Sequence, residues 1–223
     1  MKWLTPGGLA AALAVGGAVA VGLGWRGAVL LLAFFVSGSM LTQADGRPRN
    51  ARQVVANGGA AAVAALFGWW NVAAGALASA TADTWATEIG SFSPRPPRLI
   101  TTWAPVPRGA SGGITVLGTA GGVAGAAAMA AVASALHPRG MAPGLVVAVA
   151  GVVGMLADSV LGATVQGIFE CARCGARFER AGTVCHEPVR LVRGWRWLDN
   201  DGVNVVATLV GAGTAALGWR LFS

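Results

Sequence analysis

The chain has 223 residues, of which 55% are hydrophobic and 11% are charged, and its mean hydropathy is +0.62. This composition excludes a water-soluble domain and predicts a single integral membrane domain over residues 1–223. The formal net charge of +7 would suit nucleic-acid binding, but no basic stripe alternates with aromatic residues. We therefore expect a membrane partner and no nucleic acid.

Apolar segments of about 20 residues, the length that spans a bilayer, predict an all-α, polytopic membrane helix bundle. In chain order they are 7–24, 27–43, 53–69, 71–90, 113–136, 143–166 and 202–221. The segments 53–69 and 71–90 are only weakly hydrophobic, so six helices, or a broken helix, are an alternative to seven. The first segment also resembles a cleaved signal peptide, although its removal would spoil the charge asymmetry described next.

Positive charge predicts the orientation. The loops 44–52, 91–112 and 167–201 carry most of the arginines, whereas the opposite face has few. Because cytoplasmic loops retain Arg and Lys, we expect these loops and the N-terminus in the cytoplasm and the C-terminus outside. The tryptophans that then fall at the outer interface are Trp25, Trp69, Trp70 and Trp219.

Polar residues within the segments cluster toward the predicted cytoplasmic ends. They include Asn57, Asp83, Glu88, Asp158, Gln166 and Asn204. A carboxylate in mid-membrane costs roughly 2.5–3.5 kcal/mol, which makes it a functional hypothesis by default. The segregation predicts a cavity that opens to the cytoplasm for a charged substrate.

Asp83, Glu88 and Asp158 are the predicted ligands of Mg²⁺, which is usually held by one or two carboxylates together with substrate phosphates. Asp83 and Glu88 lie about 140° apart on a regular helix, so they share a face only where the helix ends or unwinds. Thr84 and Glu88, four residues apart, do share one. Alternatively, each acid bonds across the bundle or pairs with a loop arginine.

A glycine-rich loop precedes the fifth segment and predicts an anion site, because exposed backbone N–H groups there adjoin a helix N-terminus. Its candidate phosphate contacts are Arg108, Gly109, Ser111, Gly112 and Gly113. The later Gly118, by contrast, has the small-residue spacing of ordinary helix packing.

Two other helix starts carry polar residues. Arg52 and Asn57 enter the third segment and are predicted to contact the ligand. Asn200 or Asp201 is expected to cap the last helix. Thr84, Gln166 and Asn200 also join the predicted ligand set. Asn204 is expected to contact the ligand or to form an interhelical hydrogen bond.

The loop 167–201 contains four soft ligands, Cys171, Cys174, Cys185 and His186. This set predicts a structural Zn²⁺ site, with three reduced cytosolic thiols as the alternative.

Six motifs occur in a fixed order along the chain. They are Arg-Gln-Val-x-Ala-Asn-Gly (52–58), Ala-Asp-Thr-Trp-Ala-x-Glu-Ile-Gly (82–90), Leu-Ile-Thr-x-x-x-x-Val-Pro-Arg-Gly-x-Ser-Gly-Gly (99–113), Leu-Gly-Thr (117–119), Ala-Asp-Ser-x-Leu-Gly-Ala-x-x-Gln (157–166) and Asn-Asp-x-Val-Asn (200–204). Together they resemble the phytyl-phosphate kinase family of integral membrane proteins. The resemblance implies transfer of a phosphoryl group from a nucleoside triphosphate, CTP in the plant members, to a prenyl monophosphate.

The resemblance implies functional roles for the site residues already named. Thr115 and the Cys/His loop depart from the family pattern. In our hypothesis Mg²⁺ on Asp83 and Asp158, with Glu88 as a third ligand, bridges the nucleotide phosphates. Arg108 with the glycine loop neutralises the transferred charge. A lipid-phosphate cytidylyltransferase would use the same site. A cation-coupled transporter is the other alternative, because Ala82-Asp83-Thr84 and Ala157-Asp158-Ser159 look like an internal repeat.

Overall fold

The computed structural model describes residues 3–42, 48–137, 144–179 and 189–222. Six helices are found there: α1 (Pro6–Leu41), α2 (Ala51–Leu66), α3 (Trp70–Ser91), α4 (Val116–Ala135), α5 (Gly144–Thr164) and α6 (Asn200–Phe222). The short strands are β1 (Arg98–Leu99), β2 (Gly113–Ile114), β3 (Ile168–Cys171), β4 (Arg177–Phe178) and β5 (Val189–Arg193). The predicted all-α membrane bundle is confirmed.

Helix α1 is a hairpin. Gly24 has φ 65° and ψ −162°, a conformation outside the helical region that glycine adopts without strain. The rings of Trp3 and Phe35 approach to 5.8 Å, so the two arms run antiparallel. The predicted segments 7–24 and 27–43 are these two arms, joined by a turn at Gly24.

Within the described residues, four helices have the length and hydropathy of membrane spans, namely α1, α4, α5 and α6 to Leu221. The Ala-rich helix α3 has a different place, because its residues Ala73–Ala82 are buried among the other helices. A Cβ on Gly75 would lie 2.5 Å from Ala215 Cβ, and Ser79 Oγ donates a hydrogen bond of 3.0 Å to the Ala207 carbonyl. Small residues permit this close approach, which explains the weak hydropathy of the segment.

The bundle has two chemically different ends. At the first, called the site end, the end of α3 meets the start of α4, where a Cβ on Gly90 would lie 3.2 Å from Gly118 Cα. At the opposite, tryptophan end, the ring centroid of His137 lies 6.1 Å from those of both Trp70 and Trp219. The four tryptophans predicted to share an interface, Trp25, Trp69, Trp70 and Trp219, all belong to this end.

Two small antiparallel sheets cover the site end. Strands β1 and β2 pair antiparallel between α3 and α4, and the other sheet has the order β4–β3–β5. The second sheet joins the bundle through a parallel bridge between Gln166 and Trp195. The predicted loop 167–201 therefore contains ordered strands that rest against the end of α5.

Candidate active site

Asp83 and Asp158 approach each other from two packed helices. A Cβ on Gly151 would lie 3.1 Å from Ala78 Cβ, which shows how closely α5 packs on α3. Both carboxylates are half-buried at the site end and lie within electrostatic range of each other. Asp158 Oδ2 is fully buried and has no hydrogen-bond partner among the described residues. An orphaned buried carboxylate oxygen is costly, so this atom marks a position for a cation or donor from a ligand.

Glu88 does not join that pair. Helix α3 continues to Ser91, so Asp83 and Glu88 keep their separation of about 140° around the axis. Glu88 lies instead within electrostatic range of Arg49, whose pKa is lowered by burial and raised by this carboxylate. In the described part of the chain, no three His, Cys, Asp or Glu side chains are grouped to hold a metal ion.

Thr84 and Arg49 both face the end of α1. A Cβ on Gly38 would lie 3.2 Å from Arg49 Nη2 and 3.4 Å from Thr84 Cγ2. Arg49 Nη2 also donates a hydrogen bond of 3.4 Å to Thr42 Oγ1. Sequence reasoning used Arg49 only as a marker of orientation, and its place near Glu88 depends on how α1 folds back.

The glycine loop lies directly on the last turn of α5. Gly109 and Gly112 have φ of 78° and 80°, which glycine adopts without strain. A Cβ on Gly112 would collide with the backbone of Ala163, and one on Gly162 would lie 2.9 Å from the Gly112 nitrogen. The loop is thereby held about one helical turn beyond Asp158. Gly113 continues it into β2, where it pairs with Leu99.

Ser111 connects this loop to the second sheet. Its Oγ donates a hydrogen bond of 2.5 Å to Glu179 Oε1. Glu179 follows β4 and lies within electrostatic range of Asp158 and of Arg193. Sequence reasoning missed Glu179, because nothing in its local sequence distinguishes it from the other charges of the 167–201 loop.

Two buried donors complete the site. Gln166 is 1% exposed, and its Nε2 has no hydrogen-bond partner among the described residues. Arg193, also missed from the sequence, donates from Nη2 to the Gly162 carbonyl at 2.5 Å, while its buried Nε has no partner within the same residues. Desolvation lowers the pKa of Arg193, Arg177 lowers it further and Glu179 raises it. Donors of this kind suit phosphate oxygens.

Arg108 hydrogen-bonds to the chain at the C-terminus of α3. Its guanidinium donates to the Ser91 carbonyl at 3.0 Å and to the Ser93 carbonyl at 2.5 Å. These bonds satisfy carbonyl groups at and just beyond the C-terminus of α3. Its contact with a phosphate remains a prediction.

Arg52 joins α2 to the start of α6 through ion pairs with Asp199 (2.9 Å) and Asp201 (3.5 Å). Asp199 Oδ1 accepts a hydrogen bond from the Gly202 nitrogen at 3.1 Å, so Asp199 caps α6. The expectation that Asn200 or Asp201 would be the cap was wrong by one or two positions.

Three amide residues remain as predicted ligand contacts that the structure does not test. Asn200 begins α6, and Asn204 is half-buried one turn further on. Asn57 Nδ2 donates to the Gln53 carbonyl of its own helix at 3.2 Å.

The predicted zinc ligands are only partly described. Cys171 is buried in β3, and Cys174 is exposed in the turn after it. Cys185 and His186 lie outside the described residues. The zinc site therefore remains a prediction.

Comparison with known proteins decides the family. A family model described as "Integral membrane protein DUF92" matches residues 1–212. The chain belongs to this family. The family-level resemblance carried by the ordered motifs is thereby confirmed, and the matched range contains every predicted site residue.

Relatives within the family come from a plant and an archaeon. Protein PGR of Arabidopsis thaliana is 32% identical, with 84% of this chain and 79% of the relative covered. An uncharacterized membrane protein of Methanocaldococcus jannaschii is also 32% identical, covering 84% and 74%. Protein VTE6, chloroplastic, of Arabidopsis thaliana is 25% identical, covering 96% and 65%. No solved structure matches the chain.

Proposed function

We propose that the protein is a membrane-embedded prenyl-phosphate kinase. It transfers the terminal phosphoryl group of CTP, or of another nucleoside triphosphate, to a phytyl- or geranylgeranyl-type monophosphate and so makes the diphosphate. The observation that carries the proposal is the buried Asp158 Oδ2, which lacks a partner among the described residues and lies near Asp83 and the glycine loop. The family resemblance of the motifs supports the same chemistry.

The residues present fit Mg²⁺. Two half-buried carboxylates, one with an orphaned oxygen, are the protein contribution that this ion usually receives, with phosphates and water completing its shell. When bound, Mg²⁺ would supply charge neutralisation and alignment of the nucleotide phosphates. Asp83 and Asp158 would hold the ion, and Glu88 would not be one of its ligands.

In the proposed reaction an oxygen of the acceptor monophosphate attacks the terminal phosphorus of the nucleotide. A new P–O bond forms, the bond to the bridging oxygen breaks, and the nucleoside diphosphate leaves with that electron pair. The acceptor phosphate is already ionised, so no side chain has to remove a proton. Protein groups supply position and charge, which is the main requirement of phosphoryl transfer.

The buried donors have a direct use in this reaction. Gln166 Nε2 and Arg193 Nε can each donate to a phosphate oxygen without losing a bond to another described residue. Ser111, fixed by Glu179, holds the glycine loop over the end of α5. The prenyl tail would lie between helices in the lipid layer.

We further propose that the site end faces the cytoplasm, with the N-terminus inside and the C-terminus outside. The arginine-rich loops of the site end and the tryptophans of the other end support this orientation. It would give the site access to cytosolic nucleotides and the lipid substrate access from the membrane.

The test uses the purified full chain in detergent with Mg²⁺, CTP and phytyl monophosphate, and follows lipid and nucleotide products by mass spectrometry. Phytyl diphosphate with CDP is expected. A CDP-lipid with pyrophosphate would identify a cytidylyltransferase instead. Absence of turnover with any nucleoside triphosphate, combined with cation-driven uptake into proteoliposomes, would replace the kinase with a transporter.

A further inference from the structure

The tryptophan end contains a cavity of about 850 Å³ that the proposed kinase reaction does not use. It lies between the α1 turn, the start of α3 and the last turns of α6. The residues that matter for its chemistry are Leu23, Trp70, Asn71, His137, Trp219 and Arg220. Asp83 is more than three helical turns away along α3, so the two sites are separate.

Two of the residues that line this cavity have a buried polar atom without a partner in the described part of the chain. Asn71 is 9% exposed and Trp70 is 5% exposed. Neither Asn71 Oδ1 nor Trp70 Nε1 has a hydrogen-bond partner among the described residues. Leaving such a group unsatisfied costs roughly 1–3 kcal/mol. A ligand that carries both a hydroxyl and an acceptor oxygen could therefore satisfy the Asn71 acceptor and the Trp70 donor.

The charge at the cavity favours an anion. Helix α3 begins here, and its N-cap residue, Trp69, contributes no side-chain cap. Uncapped N–H groups and the helix dipole attract negative charge. Arg220 lines the same cavity and adds a cation. An ionised phosphate group satisfies all of these donors at once.

Part of the cavity wall is apolar, while the His137 ring lies beside Trp70 and Trp219. Leu23, Leu209 and Ala212 line the cavity, and Leu209 is 55% exposed on the surface that the bundle presents to lipid. A ligand entering from the membrane would keep hydrocarbon against these side chains. Tryptophans such as Trp219 belong at the depth where headgroup and chain meet.

We infer that this cavity binds an anionic phospholipid whose headgroup carries a free hydroxyl. The phosphate accepts hydrogen bonds from Trp70 Nε1 and Arg220, the hydroxyl donates to Asn71 Oδ1, and the acyl chains lie along Leu23 and Leu209. This inference does not depend on the kinase activity.

The test is native mass spectrometry of the full chain purified in micelles that contain equal amounts of phosphatidylglycerol and phosphatidylcholine with the same acyl chains. We expect preferential retention of phosphatidylglycerol. Asn71→Leu and Arg220→Gln should each reduce that retention at least fivefold, and Trp70→Phe should reduce it as well. Trp25→Phe and Arg26→Gln are matched controls at the same end, because neither residue lines the cavity.

Equal retention of both lipids, or equal losses in the control variants, would overturn the inference. A misfolded Asn71→Leu protein would leave the other two variants to decide. A final arm adds glycerol phosphate without lipid. Its binding, with no preference between the two lipids, would show a site for soluble phosphate and would also overturn the lipid assignment.

Discussion

Glu170, in the second sheet, and Asp158, in helix α5, differ in how their carboxylate oxygens are hydrogen-bonded. Glu170, on β3, is half-buried and accepts hydrogen bonds from Arg177 at 3.1 Å and Arg190 at 3.3 Å. Asp158, on α5, has a buried oxygen with no partner among the described residues. Glu170 is thus paired with two arginines. The buried Oδ2 of Asp158, which costs free energy when it is left without a partner, has none among the described residues.

Cations are not scarce, since the chain has 16 Lys and Arg residues against nine acids. Arg193 donates from Nη2 to the carbonyl of Gly162, about one helical turn beyond Asp158. The difference teaches that pairing at the sheet stabilises structure, whereas Asp158 keeps coordination capacity for a ligand. Each of the following predictions tests this distinction.

The largest effect is expected for Asp158→Asn and Asp83→Asn. Removing a carboxylate that positions charge in phosphoryl transfer should lower kcat/KM at least about 100-fold. Glu170→Gln, the matched control, should stay within about twofold of the parent. Steady-state product formation measures all three, and full activity in Asp158→Asn would remove the basis of the site.

Gly112 and Gly109 allow the effect of a steric clash to be distinguished from the effect of an unfavourable backbone conformation. Gly112→Ala should lower kcat/KM at least about tenfold, because its Cβ would strike the Ala163 backbone and displace the loop. Gly109→Ala has nearly the same φ, but nothing lies within 4 Å of its Cβ position. Its strain of about 1–2 kcal/mol should appear mainly as a lower Tm. Equal activity losses in the two variants would contradict the contact.

The Ser111–Glu179 bond calls for a double-mutant cycle. Ser111→Ala and Glu179→Ala should each lower activity about tenfold, and the double variant should be no worse than either one, because both changes remove the same contact. The measurement is kcat/KM for the four proteins. Fully additive losses would mean that the two residues act separately.

Arg52→Gln should affect stability more than chemistry. Its side chain is 64% exposed, so loss of the pairs with Asp199 and Asp201 should lower the free energy of unfolding by about 0.5–1 kcal/mol. Arg95→Gln, at an exposed loop position, serves as the control. Thermal unfolding in low and high salt should show the difference shrinking as salt rises.

The smallest effect concerns pH. Hydrogen bonds from Arg177, then from Arg190, hold the pKa of Glu170 below its ordinary value of 4.5. Its contribution to the sheet is therefore present above that value and is lost as pH falls through the folded-state pKa. Hydrogen exchange corrected for intrinsic rates should show a drop in β3 protection below about pH 4.5. Glu170→Gln should abolish the pH dependence of that protection.

Much of the architecture could be predicted from composition and spacing. Length and hydropathy locate the helices, and the tryptophans identify one end of the bundle. Asp83 and Asp158 stand out because a carboxylate in an apolar segment needs a special reason. The same hydropathy could not show that α3 is buried by protein, since Ala-rich segments suit close helix packing as well as lipid.

The sequence did not identify the roles of Glu179, Arg49 and Arg193. Each lies among similar charges in a loop or short strand, and only tertiary packing brings it to the helix ends. Arg108 shows the converse, because a motif position that suggested phosphate binding donates to carbonyls at the end of α3. Spacing along the chain could identify these residue types but not the direction of their side chains.

The turn at Gly24 also bears on how the protein enters the membrane. Two antiparallel apolar arms can insert together as one unit, so only the short turn around Trp25 and Arg26 has to cross the hydrocarbon layer. In the orientation proposed above, the Trp3 end and the Leu41 end stay on the side where they were synthesised. The first step of biogenesis would thus fix the side of the membrane on which the later carboxylate-bearing helix ends assemble.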